Sequence, residues 1–314
     1  MTEPRPWTAA DLPDLTGKVF VVTGGNSGLG LETARELARR GGHVVIACRD
    51  AARAATALSE IRATIRCASI EAMDLDLASL ASVRAFAERF HASQRRLDAL
   101  CNNAGVMALP YRKTSDGFEM QFGTNHLGHF ALTGRLFDVL CATPGARVVT
   151  VSSTMHRAGR IRFDDLQGER RYGRWRAYGQ SKLANLLFTY ELARRAEKAA
   201  LDLVSVAAHP GYAATNLQTA GPRMEGSAMM ERLSLLGNRL FSQTSAMGAL
   251  PTLYAATAPG VRGGDYFGPG GLGEMRGHPK KVRSSARSHD LEAAARLWQV
   301  SRELTAVSFA PLGD

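Results

Sequence analysis

The sequence predicts an α/β protein with a doubly wound parallel sheet of about seven strands and helices on both faces. Two observations support this prediction. Short apolar runs alternate with stretches of helical spacing along the 314 residues. The runs have the length of strands that are buried on both faces. Right-handed crossovers would bring the carboxyl ends of these strands to one edge, where a ligand crevice opens.

The strands are identified by their apolar runs and by the signals that end them. Glycines stop the first run, and the third run is the weakest of the series. The seventh strand is a short run within the glycine-rich stretch 260–277. The predicted strands cover residues 18–23, 43–48, 72–75, 97–101, 147–151, 201–207 and 265–267.

The helices are identified by apolar residues that recur at three- and four-residue intervals. Leu29, Ala34, Leu37 and Ala38 show this spacing directly after the first strand. The predicted helices cover residues 29–40, 51–63, 79–90, 118–140, 178–200 and 290–304. No repeat or linker-like stretch divides the chain, so a single domain is predicted over 18–314, preceded by a loosely attached N-terminal arm at 1–17.

The composition excludes several classes of protein. No apolar run approaches the roughly 20 residues that span a bilayer, and the N-terminus lacks the order of a signal peptide, so no membrane anchor is expected. The four cysteines show no metal-ligand spacing, which predicts no metal site and a reduced, cytoplasmic location. The formal net charge of +10 comes from scattered residues. This pattern argues against nucleic-acid binding and favours a polyanionic cofactor.

A glycine-rich loop joins the first strand to the first helix. Glycines let a backbone approach a ligand closely, and the amides at a helix start attract a pyrophosphate. The spacing Gly-x3-Gly-x-Gly differs from the best-known dinucleotide fingerprint, and a tight turn without a ligand is the alternative. The candidate cofactor-binding residues of this loop are Gly24, Asn26, Ser27, Gly28, Leu29 and Gly30.

The end of the second strand carries an arginine where an NAD-binding fold usually has an acidic residue for the ribose 2′-hydroxyl. Arg49 stands there, followed by Asp50. A guanidinium suits the geometry of a 2′-phosphate, so NADP(H) is predicted in preference to NAD(H). Asp50 is alternatively the cap of the next helix.

Tyr178 and Lys182 stand four residues apart on a predicted helix. This spacing puts both side chains on one helix face. A free tyrosine has a pKa of about 10, and a neighbouring cation favours the phenolate. The pair therefore indicates a tuned acid/base, although the same spacing occurs on solvated helix faces.

Seven motifs follow one another along the chain: Thr23-Gly24-x3-Gly28-x-Gly30, Asp74-Leu75, Asn102-Asn103-Ala104-Gly105, Asn125, Ser152-Ser153, Tyr178-x3-Lys182 and Pro210-Gly211-x3-Thr215. In this order they resemble the short-chain dehydrogenase/reductase family, in its single-domain branch. Cys48-Arg49-Asp50, Asn125-His126-Leu127-Gly128-His129-Phe130 and Ala208-His209-Pro210-Gly211 are similar to its retinol dehydrogenase and protochlorophyllide reductase-like subgroup. The resemblance implies a Rossmann-type NAD(P)-binding fold and an oxidoreductase.

The resemblance also implies a role for each matched residue. Tyr178 would exchange a proton with the substrate oxygen as hydride passes to or from the nicotinamide. Lys182 would lower the Tyr178 pKa and hold the nicotinamide ribose, and Ser153 would polarise the carbonyl. Asn125 would hold a water that connects Lys182 to solvent. The further cofactor-binding residues implied are Asp74, Leu75, Asn102, Ala104, Gly105, Pro210, Gly211 and Thr215.

Two features depart from the family's usual pattern. Ser152 and Ser153 are adjacent, and only one of them can polarise the substrate oxygen; the family's pattern favours Ser153. The Ser153–Tyr178 separation is also longer than usual. The extra segment at 160–175 either shapes the substrate entrance, as in the resembled subgroup, or is a solvated excursion.

The substrate side is less specific. The segment at about 217–243 stands where the family has its substrate lid, and its methionine and leucine side chains suit varied apolar substrates, although a packed helix explains them equally well. Met107, Ala108, Leu109 and Tyr172 are further candidates for the pocket. An apolar aldehyde, ketone or alcohol is therefore expected as the substrate.

Two other functions are considered as alternatives to this enzyme. A catalytically idle NADP(H)-binding sensor or scaffold would be expected to lack a proton-transfer residue, and none is missing from the sequence. A sugar-nucleotide epimerase shares the tyrosine–lysine pair but needs a larger C-terminal domain. The resemblance also allows a homodimer or homotetramer joined through the two long helices, or a monomer.

Overall fold

The computed structural model describes residues 5–212 and 243–313. Within them, eight strands form one sheet in the order β3-β2-β1-β4-β5-β6-β7-β8. β1 to β7 are parallel, and β8 pairs antiparallel with β7 at the edge. The strands are β1 Val19–Thr23, β2 His43–Cys48, β3 Ile70–Asp74, β4 Ala99–Asn102, β5 Ala146–Val151, β6 Leu203–Ala208, β7 Tyr266–Pro269 and β8 Pro279–Lys281.

The predicted doubly wound, parallel-dominated sheet with surrounding helices is confirmed, with one strand more than expected. β8 gave no apolar signal, because it is a three-residue edge strand with a proline and two lysines, a composition that suits an unpaired edge. The α-helices of the described residues are α1 Gly28–Arg39, α2 Ala51–Thr64, α3 Leu80–Ser93, α4 Met120–Phe122, α5 Gly128–Arg135, α6 Phe137–Ala142, α7 Arg174–Lys198, α8 Ser245–Thr257 and α9 Leu291–Thr305.

Successive side chains of the central strands are buried on opposite faces of the sheet. In β1, Val19 and Val21 pack with α3, α5, α6, α7 and α9 on one face. Phe20 and Val22 pack with α1, α2 and α8 on the other face. Because both faces are covered, these strands are apolar throughout rather than alternating.

The helix predicted at 118–140 is divided into three segments, which corrects the expectation of one continuous helix. A π-helical turn at Gly123–Leu127 separates α4 from α5, and the Gly128 amide bonds to the Gly123 carbonyl. A Cβ on Gly123 would lie 2.6 Å from the Thr114 Cγ2, and one on Gly128 would lie 2.4 Å from the Leu77 carbonyl oxygen. The turn therefore requires glycine at both ends, and π turns of this kind often occur at functional sites.

The N-terminal segment and α8 differ from the expectations in other ways. Leu12 and Leu15 are buried in the core, and the Trp7 ring contacts the Tyr254 ring edge-on with centroids 5.2 Å apart, so these three side chains of the segment 5–17 pack on the body. No element was predicted for α8, which contains Pro251. The predicted lid at 217–243 lies outside the described residues except for Gln243.

The order of the sheet creates a crevice at its carboxyl edge. From β1 the chain winds outward to β2 and β3, and then returns to the other side of β1 with β4. At this reversal the loops after β1 and β4 lead in opposite directions and leave a space between them, the usual ligand position in open α/β sheets. Among the described residues, no helix combines the length and apolar character needed to cross a bilayer.

An aromatic cluster fixes the helices on one face of the sheet. The Phe130 ring lies edge-on to those of Phe188, Trp298 and Phe309, with centroids 5.5, 5.2 and 5.1 Å apart. This cluster joins α5, α7, α9 and the C-terminal segment. The cluster therefore fixes the position of α7, the helix that carries Tyr178 and Lys182.

Replacing Phe130 with alanine is expected to lower the free energy of unfolding by about 3–5 kcal/mol, because a large buried ring is lost and a cavity remains. Phe130→Leu should cost less. Leu291→Ala, at a position 61% exposed, should change stability little. Chemical denaturation measures the free energy of unfolding of all three variants. A loss below about 1 kcal/mol in Phe130→Ala would contradict the role of this ring in holding the helices together.

Candidate active site

A cavity opens at the carboxyl edge between β1 and β4. Its walls come from the glycine loop, the end of β2, the segment after β3 and the segment after β4. The residues that line it are Gly24, Asn26, Ser27, Gly28, Leu29, Gly30, Ala47, Cys48, Arg49, Asp50, Arg53, Leu75, Asp76, Leu77, Asn103, Ala104, Gly105, Val106 and Thr124.

The glycine loop brings backbone segments closer than side chains would allow. Gly24 has a φ of 67°, and a Cβ on it would lie 3.1 Å from the Ala104 Cβ. A Cβ on Gly30 would lie 2.3 Å from the Gly24 carbonyl oxygen. The loop leads directly into α1, so amides at the start of that helix face the cavity, where they favour an anion.

The end of β2 places two arginines on the cavity wall. Asp50 caps α2 by accepting a hydrogen bond from the Arg53 amide at 3.0 Å, as the alternative interpretation of this residue expected. Its other carboxylate oxygen lies 3.3 Å from the Arg53 Nε. The charge of Asp50 is therefore engaged by Arg53. Arg49 lines the same cavity as Arg53, so two guanidinium groups border the space.

Asp74 and Asn102 were predicted to bind the cofactor, but neither lines this cavity. Asp74 is exposed at the end of β3, and its carbonyl accepts from Arg89. Asn102 is buried, and its amide nitrogen donates to the Thr133 hydroxyl at 3.0 Å. The neighbours Asp76 and Asn103 line the cavity instead. The sequence could have identified Asn103 as a cavity residue, because it is the second asparagine of the Asn102–Gly105 motif.

Tyr178 and Lys182 lie together in α7, on the same face as predicted. The Lys182 Nζ is 5.7 Å from the centroid of the Tyr178 ring and donates to the Val151 carbonyl at 3.0 Å. Both residues are buried, with 8% of Tyr178 and 4% of Lys182 exposed. A Cβ on Gly105 would lie 3.6 Å from the Lys182 Nζ, so the lysine borders the residues that line the cavity.

Burial dominates the acid/base character of this pair. It raises the pKa of Tyr178 to about 12, and a hydrogen bond with the Ser153 side chain opposes the shift only in part. It also lowers the pKa of Lys182 to about 8. The sequence predicts a lowered tyrosine pKa; in this structure burial raises it instead.

The two adjacent serines have different surroundings. The Ser152 hydroxyl is buried and donates to the Lys182 carbonyl at 2.8 Å. The Ser153 side chain is partly exposed, accepts from the Met155 amide at 3.3 Å and bonds with Tyr178. Only Ser153 therefore has its hydroxyl beside the tyrosine oxygen and open to a ligand.

Asn125 lies in the π-helical turn, and its side chain is held by protein groups. The amide oxygen accepts from the Val106 amide at 2.7 Å. The amide nitrogen donates to the Val106 carbonyl at 2.9 Å and to the Ser181 hydroxyl at 2.9 Å. Asn125 therefore ties the segment after β4 to α7.

The segment after β6 forms another wall of this edge. Pro210 accepts from the Gln243 side chain at 2.7 Å. Gly211 has a φ of 64°, and a Cβ on it would lie 2.4 Å from the Met275 carbonyl oxygen. Neither residue lines the cavity described above, and Thr215 lies outside the described residues.

The extra segment between Ser153 and Tyr178 folds onto the body. The Tyr172 hydroxyl donates to the Leu109 carbonyl at 2.7 Å and accepts from the Gln121 side chain at 3.0 Å. Trp175, which is 51% exposed, lies edge-on to Tyr178 with ring centroids 6.4 Å apart. The end of the segment thus places an apolar side chain beside Tyr178, the candidate acid/base.

His209 packs beside the Pro210–Gly211 turn, and its Nδ1 accepts from the Gly211 amide at 3.2 Å. The described ranges contain no group of three or more histidine, cysteine, aspartate or glutamate residues that could hold a metal ion.

Comparison with known proteins assigns the family. The model of the short chain dehydrogenase family matches residues 18–226. The chain belongs to this family, the short-chain dehydrogenases/reductases, whose members use NAD(P). It is therefore an oxidoreductase.

Individual relatives narrow the assignment to the retinol dehydrogenase-like subgroup. Retinol dehydrogenase 12 of Mus musculus is 45% identical over 297 residues, covering 94% of this chain and 88% of that protein. Retinol dehydrogenase 14 of Homo sapiens is 41% identical over 300 residues, with coverages of 91% and 85%. The crystal structure of an uncharacterized protein from Mycobacterium paratuberculosis has a TM-score of 0.79 at 43% identity and covers 97% of this chain and 99% of that chain.

Replacing Gly30 with alanine is expected to weaken the affinity for NADPH by at least about tenfold, because the new methyl group would collide with the Gly24 carbonyl and displace the loop. Fluorescence titration with NADPH measures the change. Gly263→Ala is the control, since a Cβ there meets only the Ala193 Cβ at 3.4 Å. Equal affinities in the two variants would show that the close approach is unimportant for binding.

Proposed function

We propose that this chain is an NADP(H)-dependent oxidoreductase that interconverts an apolar aldehyde or ketone and its alcohol by hydride transfer, with Tyr178 as the acid/base. The proposal rests on one arrangement. The Tyr178 hydroxyl bonds with Ser153, and Lys182 lies beside the same ring, next to the segment that lines the dinucleotide-sized crevice. These groups have the residue types and the geometry that proton transfer to a polarised carbonyl requires.

The protonation state of Tyr178 suits the reductive direction. With a pKa of about 12, the phenol holds its proton near neutral pH and can donate it to the carbonyl oxygen as negative charge develops there. In the oxidative direction the same oxygen accepts the alcohol proton. The Lys182 cation favours the phenolate that this step requires.

Ser153 and Lys182 complete the environment of the reacting oxygen. The partly exposed Ser153 hydroxyl can donate to the carbonyl oxygen and stabilise its developing charge. The Lys182 Nζ keeps one bond to the Val151 carbonyl, which leaves further N–H groups for a ribose hydroxyl. Asn125 contributes indirectly, because it holds Val106 and Ser181 in position.

The cavity residues fit a nicotinamide dinucleotide, which supplies the hydride when bound. The backbone cradle of Gly24 and Gly30 leaves no room for side chains, and the start of α1 offers amides to a pyrophosphate. Leu75, on the cavity wall, would pack against the adenine. Gly105, beside Lys182 and Asn125, keeps the nicotinamide end open.

Selectivity for NADP(H) is supported by the cations at the end of β2. Arg49 and Arg53 both line the cavity, whereas the nearest acid, Asp50, is engaged as the cap of α2. A 2′-phosphate would thus meet the Arg49 guanidinium, with the Arg53 guanidinium, which pairs with Asp50, beside it; guanidinium groups bind phosphate oxygens strongly.

An apolar substrate is supported by two observations. The half-exposed Trp175 indole lies beside Tyr178, where it can pack against a substrate that approaches the hydroxyl. The relatives in the comparison are named as retinol dehydrogenases, and retinol is an apolar alcohol.

Tyr178→Phe is expected to lower kcat by about 10²–10⁴-fold, because the proton-transfer group is removed. The affinity for NADPH should stay within about twofold, since the ring remains. NADPH oxidation followed by absorbance with a panel of apolar aldehydes and ketones measures the first quantity, and fluorescence titration measures the second.

Two outcomes of this experiment would contradict the proposal. Undiminished turnover by Tyr178→Phe would exclude the tyrosine as the acid/base. If the wild-type chain binds NADPH and converts no compound of the panel, the catalytically idle sensor becomes the better account.

Arg49→Gln is expected to weaken NADPH binding by about 10–100-fold, the equivalent of one or two charge-assisted hydrogen bonds. NADH binding should change little. Arg66→Gln removes the same charge beyond the other end of α2 and is the matched control. Equal effects of Arg49→Gln on the two cofactors, measured by parallel titration, would exclude the 2′-phosphate contact.

A further inference from the structure

His129 bridges the cofactor side and the catalytic side of the site through its two ring nitrogens. It lies at the start of α5, directly after the π-helical turn, and is only 1% exposed. Its Nδ1 lies 3.0 Å from the Asn125 carbonyl oxygen. Its Nε2 lies 2.9 Å from the Thr23 hydroxyl, at the end of β1.

These partners define which nitrogen carries the proton. A carbonyl oxygen can only accept, so the His129 Nδ1 must donate to Asn125. Burial lowers the pKa of His129 to about 4, so the ring is neutral near neutral pH. Its Nε2 is then an acceptor 2.9 Å from the Thr23 hydroxyl, which lies closer to it than to the Cys101 carbonyl at 3.3 Å. We therefore assign the only hydrogen of that hydroxyl to the bond with His129.

The Thr23 oxygen is in turn a junction of the cofactor edge. It accepts from the Asn103 and Ala104 amides, each at 2.9 Å. With its hydrogen directed to His129, all its bonding capacity is used. Thr23 directly precedes Gly24, and Ala104 faces Gly24 across the cavity wall, so this junction defines how closely the two loops approach.

The other end of the bridge leads to the catalytic helix. The Asn125 side chain holds Val106 and the Ser181 hydroxyl, and Ser181 donates to the Tyr178 carbonyl at 2.8 Å. The bonds therefore run without a gap from the glycine loop to the first turns of α7. The Lys182 ammonium and the neighbouring neutral His126 are the ionisable groups that act on this region.

We propose that His129 is a positioning residue for the reaction proposed above: its Nδ1–H holds the Asn125 turn under the catalytic helix, and its Nε2 holds the Thr23–Ala104 junction of the cofactor loop. The catalytic half of this inference, the bond from Nδ1 to Asn125, rests on the proposed function. The cofactor half, the bond between Nε2 and Thr23, concerns NADPH binding and can be tested without turnover.

The two bonds can be removed one at a time. In His129→Asn, the shorter amide can still donate to the Asn125 carbonyl, but nothing reaches the Thr23 hydroxyl. In His129→Gln, the longer side chain can still accept from Thr23, but the donor to Asn125 is lost. His126→Asn is the matched control, because His126 is equally buried yet bonds to Ser301 of α9 at 2.9 Å, away from the site.

The two variants should separate cofactor binding from turnover. His129→Asn should raise the Kd of NADPH by about tenfold with kcat within about twofold, the equivalent of one buried hydrogen bond. His129→Gln should lower kcat by about tenfold and leave the Kd within about twofold. His126→Asn should lower the melting temperature without changing either quantity.

A direct measurement tests the bridge in the wild-type chain. Nitrogen-15 NMR of labelled histidine should show a neutral His129 with its proton on Nδ1, and Thr23→Val should shift the Nε2 resonance. This test and the Kd of NADPH in Thr23→Val, expected to rise, still decide the inference if a histidine variant does not fold.

Several results would overturn the inference. One is a proton on Nε2. Another is a loss of both kcat and NADPH affinity in each His129 variant and in His126→Asn alike, in proportion to the drop in melting temperature. If the wild-type chain shows no turnover, the proposed function fails. An unchanged Kd of NADPH in His129→Asn would separately overturn the cofactor half of the inference.

Discussion

The close approach of backbone at the carboxyl ends of β1 and β4 is the constraint on which the site depends. The Asn103 side chain donates to the Thr23 carbonyl at 2.8 Å, and the space around Gly24 and Gly30 admits no further Cβ. This contact closes the base of the crevice and leaves its wall as amides and small residues. A pyrophosphate needs such a wall, because a side chain there would hold it away from the amides at the start of α1.

The acid/base pair illustrates a second constraint, the cost of burying charge. Tyr178 and Lys182 are both removed from water, so the neutral form of each is favoured: the pKa of Tyr178 is raised and that of Lys182 is lowered. A buried lysine that stays charged close to neutrality and a tyrosine that keeps its proton are compatible with donation to a carbonyl oxygen. The reductive direction proposed for this site therefore rests on solvent exclusion as well as on residue type.

The regular α-helix is interrupted where the cofactor side and the catalytic side of the site meet. The π-helical turn moves Asn125 out of the continuous helix expected for 118–140, and its side chain binds the backbone of Val106 instead. The turn is possible because Gly123 and Gly128 fit against Thr114 and Leu77, where larger residues would clash. Hydrophobic spacing alone could not predict this break, since the apolar positions continue through it.

The sequence by itself determined the sheet, the glycine loop and the Tyr178–Lys182 pair, because apolar runs, glycine spacing and the i,i+4 rule are local properties of a chain. The tertiary structure alone decided which neighbours face the crevice: Asn103 and Asp76 rather than Asn102 and Asp74. It also decided that β8 pairs at the edge, that α8 covers the sheet, and that burial raises the Tyr178 pKa. These outcomes depend on contacts between distant segments, and a one-residue change in register at a strand end reverses the direction of a side chain.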